Sequence, residues 1–165
     1  SRIKYTTVSK RNLSLSRNIG ISLAAGELIA FLDDDSIAEP EWLEYTHRAF
    51  KNDINVGACG GFLHDHTGVT YQWKYGTADR LGTADGARST PTPEYNFPFS
   101  FTFPHVMANS LFRLSTVLEL GGFDEEYEYY LDETDLLCRI NDAGYLIAQI
   151  NNSFVHHKYL SLIHI

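Results

Sequence analysis

The chain has 165 residues, 44% of them hydrophobic and 13% aromatic, and 13 Lys and Arg stand against 21 Asp and Glu for a net charge of -8. That length and apolar share suit one domain with a real core, and they exclude a disordered or fibrous chain. The negative field repels phosphate backbones and argues against a nucleic-acid partner, so an anionic ligand needs local help from a metal ion or a few placed cations.

Taken in chain order, residues 3–8 read as a short strand, followed by a polar turn and a helix over 15–25 that ends at Gly26. Residues 28–32 form a continuous apolar run, the pattern of a central parallel strand covered on both faces. Asp33, Asp34 and Asp35 follow at its C-terminal end, where open α/β sheets place their ligands. Pro40 suits the first turn of the next helix, which carries Trp42, Leu43, Thr46, Ala49 and Phe50 on one face. Residues 56–63 (VGACGGFL) read as another strand, whose glycines allow close approach of backbone or ligand.

From 64 to 96 the periodicity is lost, and a long irregular excursion is expected. Phe97, Phe99, Phe101 and Phe103 then alternate with Pro98, Ser100, Thr102 and Pro104, so an extended segment puts all four rings on one side, and the two prolines make it an edge or a loop. Residues 107–114 resume a strand-like run, Ser115 is placed to cap a short helix, and Gly121-Gly122 closes it. A last helix spans 132–143, with Gly144 after it, and 146–150 and 154–155 read as two short final strands. Cys59 and Cys138 belong to no C-x-x-C pair and read as buried free thiols. No stretch resembles a signal peptide, and no apolar run reaches the roughly 18 residues of a membrane span. The expected location is the cytoplasm or the inner face of the cell membrane, with membrane segments elsewhere in a longer protein left open.

Three groups of residues carry chemistry. In FLDDDS, the carboxylates of Asp33, Asp34 and Asp35 repel one another and are best tolerated around a hard divalent cation, although a solvated acidic turn also fits. The contiguous acids exclude a D-x-D-x-D-G calcium loop. A phosphoacceptor pocket also sets acids at a strand end, but nothing else in the chain supports it. In DETDLLCRI, Asp132 lies near the N-cap and Glu133 and Asp135 in the first helical turn, where the helix dipole favours negative charge. Glu133 shares the apolar stripe of Leu136, Leu137 and Ile140 and so faces inward, whereas Asp135 pairs with Arg139 at i+4 on the surface. His156 and His157 are adjacent in a strand and point to opposite faces, so one of them at most joins a given site. Arg17 near a helix start reads alone as a surface residue. Tyr71, Trp73 and Tyr75 suit either sugar stacking or packing.

Taken in order, SRNIGISLAAGELIAFLDDDSIAEPEWLE, VGACGG and the run from MANSLFRLSTVLELGGFDEEYEYYLDETDLLCRINDAGY to FVHH resemble family 2 glycosyltransferases of the GT-A fold. The resemblance implies an α/β, Rossmann-like mixed sheet flanked by helices, acting on a nucleotide-diphosphate sugar. It implies that Asp33 lies near the donor's ribose and Asp35 on a divalent metal, Mn2+ or Mg2+, bridging the diphosphate. Arg17 and Asp34 are then placed with the donor as well. Glu133 matches the second position of the family's acidic pair, usually Glu-Asp and here Asp132-Glu133, which supplies the catalytic base; Asp132 is the weaker candidate. His156 is expected, ahead of His157, to complete the metal site. The implied reaction is an inverting transfer to a hydroxyl of a glycan or lipid-linked glycan, in bacterial cell-surface polysaccharide synthesis. A non-catalytic nucleotide-sugar or glycan-binding module of the same fold is the alternative.

The chain departs from the resemblance at both ends. Family members carry a first β-α-β unit upstream of the matched run, and the domain, over 1–159, is expected to lack it and to bind donor poorly alone. Residues 160–165 (LSLIHI) back-translate as CTGTCTCTTATACACATC, similar to a transposon end used in building sequencing libraries, and are expected to be a non-native tail.

Overall fold

A computed structural model describes residues 3–86, 88–92 and 94–158. The expected non-native tail lies outside the described residues. In chain order the elements are α1 (Leu13–Leu23), β1 (Leu28–Ala30), β2 (Ser36–Ala38), α2 (Trp42–Asn52), β3 (Val56–His64), β4 (Tyr71–Trp73), β5 (Thr77–Asp79), β6 (Ala84–Asp85), β7 (Thr102–Pro104), β8 (Leu111–Arg113), α3 (Leu114–Glu119), α4 (Asp132–Asp142) and β9 (Leu146–His157). No helix among the described residues is long and apolar enough to cross a membrane.

The main sheet runs β1-β8-β3-β9-β2, with β4 added on β3. β3 and β9 are its parallel centre, and the other pairings are antiparallel. Trp42, Ala49 and Phe50 of α2 cover one face together with Val56, Cys59 and Val155. Ile21 of α1, Val117 of α3 and Leu136, Leu137 and Ile140 of α4 cover the other, with Ala58, Phe112 and Ile147. Burying these aliphatic and aromatic side chains contributes about 1.5–3 kcal/mol each and fixes which strands lie inside.

Several expectations are corrected by this arrangement. Residues 28–32 do not form the central parallel strand: β1 is an edge strand of the main sheet, antiparallel to β8. Leu28 packs partly into the α2 core and Ile29 partly into the opposite one, so both faces are only half covered at the edge, and Ala30 and Leu32 are exposed. An unbroken apolar run does not by itself fix a central position. Residues 3–8 carry no strand, with Ile3 and Tyr5 exposed, since alternation yields a strand only where a sheet edge takes it up. Leu43 is 55% exposed and leaves the α2 stripe to Trp42, Thr46, Ala49 and Phe50.

The excursion after β3 is not wholly irregular, because β5 pairs with both β6 and β7 in a small antiparallel sheet. The phenylalanine row is broken: Phe99 adopts φ 62 inside a turn closed by the Ser100 N–H on the Phe97 carbonyl, and only Phe103 is buried while Phe97, Phe99 and Phe101 are exposed. The last two strands merge into β9, whose register shifts opposite Gly60 and Phe62 of β3. There a Cβ on Gly61 would lie 2.1 Å from the Ser153 carbonyl oxygen, so the glycine serves backbone approach. Cys59 is buried and Cys138 half-buried, and both are free.

Candidate active site

The acidic turn sits where β1 hands the chain to β2. The Phe31 N–H donates to the Ser110 carbonyl at 2.8 Å and prolongs the β1–β8 pairing, and the Ser36 N–H closes a turn on the Asp33 carbonyl at 3.0 Å. β2 then pairs with the end of β9, setting Ser36 opposite His157 and Ile37 opposite His156, and the Lys158 N–H donates to the Asp35 carbonyl. This register brings His157 Nε2 to 3.0 Å from Asp35 Oδ1 and 3.7 Å from Asp33 Oδ2. One ligand atom from each of Asp33, Asp35 and His157 lies within 4.8 Å of the others. Asp34 is exposed and is not one of the three.

His156, the histidine expected here, is elsewhere. Its ring stacks on His64 at 5.1 Å and its Nε2 contacts the Glu39 carboxylate. Alternation along β9 allows only one histidine toward the acids, and the β2 register selects His157. His157 Nδ1 shares a 2.9 Å hydrogen bond with Gln72 Oε1. In the tautomer that donates from Nδ1, Nε2 is an acceptor facing two carboxylates, an arrangement that favours a cation among them.

The second half of the site is built by α1 and α4. Asn12 caps α1 through its Oδ1 to the Leu15 N–H, and α1 is laced to the segment before α4. Asn12 Nδ2 donates to the Glu125 carbonyl, Ser14 Oγ to the Tyr127 carbonyl, and Asn18 both donates to the Phe123 carbonyl and accepts its N–H. Arg17, 92% withdrawn from solvent, lies over the rings of Phe31 and Phe123 and contacts the Asp132 carboxylate through Nη1. Its Nη2 is 3.5 Å from Glu133 Oε1 and 4.0 Å from Asp33 Oδ1. Arg17 is therefore a buried organiser of acids, not the surface residue its isolated reading suggests.

Glu133 faces inward from the first turn of α4, as the apolar stripe implies. Its Oε1 accepts from the Ala108 N–H at 3.3 Å and from Ser110 Oγ at 3.2 Å. Burial pushes its pKa up to about 7, partly offset by Arg17 and reinforced by the charges of Asp132 and Asp33. Burial likewise raises Asp33 and Asp132, with Arg17 opposing both. One guanidinium thus serves three carboxylates, those of Asp33, Asp132 and Glu133. Asp135 lies on the outer side, bonded to Arg139 Nε at 2.9 Å, as the i+4 spacing indicates.

The loop aromatics serve packing. Trp73 Nε1 donates to the His105 carbonyl at 2.8 Å, and a Cβ on Gly76 or Gly86 would fall within 2.1 Å of its indole. Tyr71 stacks on His64, and Tyr75 meets Phe62 edge-on. Ser110 and Ala108 carried no signal in the sequence, because their role depends on where β8 sets them against α4.

Comparison with known proteins bears on the family and the fold. The sequence model of glycosyl transferase family 2 matches residues 1–112. The glucosyl-dolichyl phosphate glucuronosyltransferase of Haloferax volcanii is 39% identical over 51 residues, 31% of this chain and 16% of that protein. Among solved structures, GalNAc-T7 with UDP, GalNAc and Mn2+ superposes with a TM-score of 0.68 at 17% identity, over 90% of this chain and 31% of its own. The mannosyltransferase PcManGT from Pyrobaculum calidifontis, in complex with GDP-Man and Mn2+, gives 0.61 at 15% identity, over 93% of this chain and 38% of its own. The chain thus spans well under half the length of these proteins. The structural likeness shows a GT-A fold, and with a match across most of its length the chain belongs to glycosyl transferase family 2.

Proposed function

We propose that the domain supplies the diphosphate side and the base of a metal-dependent, inverting transfer from a nucleotide-diphosphate sugar. The observation that carries this reading is the placement, on either side of Arg17, of the Asp33, Asp35 and His157 ligand atoms and of the buried Glu133 carboxylate with its pKa near 7. Two carboxylates and one imidazole fit Mn2+ well and Mg2+ less well, since magnesium prefers oxygen alone. Asp33, Asp35 and His157 would hold the ion, which when bound supplies positive charge to the departing diphosphate. The mannosyltransferase and GalNAc-T7 structures named above, with GDP-Man or UDP and with Mn2+, support this assignment.

Glu133 takes the proton of the acceptor hydroxyl. The acceptor oxygen bonds to the anomeric carbon while the bond from that carbon to the diphosphate oxygen breaks, its electron pair leaving with the diphosphate. A single displacement needs one base and no nucleophile, and it inverts the anomeric centre. Arg17, occupied by carboxylates, serves the donor through Asp33, and Asp34 lies exposed beside it. The acceptor is a hydroxyl of a glycan or lipid-linked glycan, in keeping with the name of the Haloferax relative. Cell-surface polysaccharide synthesis is the proposed setting.

The test is transfer by the full-length protein from UDP- and GDP-sugars, with and without Mn2+. Loss of transfer on chelation, and in Asp35→Ala with an unchanged circular-dichroism spectrum, is expected. Activity retained in Asp35→Ala at saturating donor with the same metal response overturns the reading.

A further inference from the structure

The described contacts of Glu133 fall on one oxygen. The Ala108 N–H at 3.3 Å, Ser110 Oγ at 3.2 Å and Arg17 Nη2 at 3.5 Å all approach Oε1. Among the described residues Oε2 accepts no hydrogen bond. The two donors other than Arg17 come from the segment that leads into β8, far from Glu133 in sequence but fixed against it in the fold. Ser110 is fully buried, and the bond from the Phe31 N–H to its carbonyl holds the backbone that carries the hydroxyl. Ala108 takes φ 60, a left-handed conformation that costs a non-glycine residue strain, and in that conformation its N–H meets the carboxylate. Strain retained at this position, in a segment with no turn glycine, is what a preorganised donor requires.

We infer that Ser110, together with the Ala108 N–H, is a positioning residue that pins Glu133 through Oε1 and leaves Oε2 to receive the proton of the acceptor hydroxyl. The inference rests on the reading of Glu133 as the base. A carboxylate held by one oxygen keeps its plane and reach fixed, so the second oxygen meets the acceptor in a constant geometry. The serine does not touch donor or acceptor. Its removal therefore changes the rate of the chemical step and leaves donor binding alone.

A double-mutant cycle on the full-length protein tests this, with kcat and donor KM measured for Ser110→Ala, Glu133→Gln and the two together. Ser110→Ala is expected to lower kcat about 10-fold with donor KM within about 2-fold, and to cost less than about 2-fold more when added to Glu133→Gln. An equal loss in both backgrounds marks a structural role and overturns the inference. So does an unchanged kcat in Ser110→Ala while Glu133→Gln has lost its activity, an outcome that leaves the base reading standing. If Glu133→Gln itself turns over at the parent rate, the base reading fails and the inference with it. Should Ser110→Ala fold poorly, Ser110→Cys, close in shape and a weaker donor, carries the same cycle with the same criteria.

Discussion

Arg17 Nη2 stands 4.0 Å from Asp33 Oδ1 and 3.5 Å from Glu133 Oε1, so one guanidinium joins the strand-end acids to the helix-borne carboxylate. Nη1 of the same side chain holds Asp132. Replacing Arg17 with methionine keeps much of the apolar packing over Phe31 and Phe123 and removes the only cation that serves all three acids among the described residues. Stability at pH 8 should fall by about 3–5 kcal/mol, because buried charge is left uncompensated. Arg17→Lys should recover only part of it, since an ammonium cannot fork between carboxylates. Urea unfolding of the three proteins checks both statements.

Glu133 makes stability depend on pH in a defined direction. Its folded pKa, about 7, lies above the ordinary 4.5, so the folded state binds the proton more tightly than the unfolded state. Stability is therefore fullest below pH 4.5 and is lost as pH rises from there through 7, by a total of about 3 kcal/mol. Glu133→Gln removes the titration. Its Tm should exceed that of the parent at pH 8, and the difference should vanish near pH 4. A difference that does not change with pH would show that the carboxyl is not held in this environment.

The same carboxyl should set the acid limb of the rate. A base must be ionised, so kcat is expected to rise with pH through about 7 and then level. The charge of Asp33 contributes to the raised pKa, so saturating Mn2+ should move the limb to lower pH. Rate profiles at low and saturating metal measure this shift.

Gly61 provides a test of the fold alone. A Cβ at this position would lie 2.1 Å from the Ser153 carbonyl oxygen and 2.8 Å from Ser153 Oγ, at the point where β3 and β9 shift register. Backbone cannot give way as a flexible side chain can, so Gly61→Ala should cost about 3 kcal/mol or leave the protein insoluble. Gly20→Ala, in α1 with nothing within 4 Å of the added Cβ, should be neutral or stabilising by up to about 1 kcal/mol.

The parts of the site legible in the sequence are those set by local pattern. Asp33 and Asp35 end an apolar run, and Glu133 shares a helical stripe with Leu136 and Ile140, so strand end and inward face follow from periodicity alone. The parts set by tertiary register were not legible. His156 and His157 differ only in which one lies opposite Ser36, and β2, a three-residue strand, has no pattern long enough to announce that pairing. The burial of Arg17 follows from the lacing of α1 to residues 123–128, more than 100 positions away. The phenylalanine row misled because the turn at Phe99 overrides an alternation that requires extended backbone throughout.

Mn2+ binding to the full-length protein in the presence of a nucleoside diphosphate, followed by the electron paramagnetic resonance of the free ion, tests the central claim most directly. Asp35→Ala and His157→Ala should each weaken Mn2+ affinity by about 10-fold or more and lower metal-dependent transfer in step, whereas His156→Ala, whose ring lies on His64 and Glu39, should bind Mn2+ as the parent does. Parent-like Mn2+ affinity in both Asp35→Ala and His157→Ala would contradict a metal centre at the end of β1.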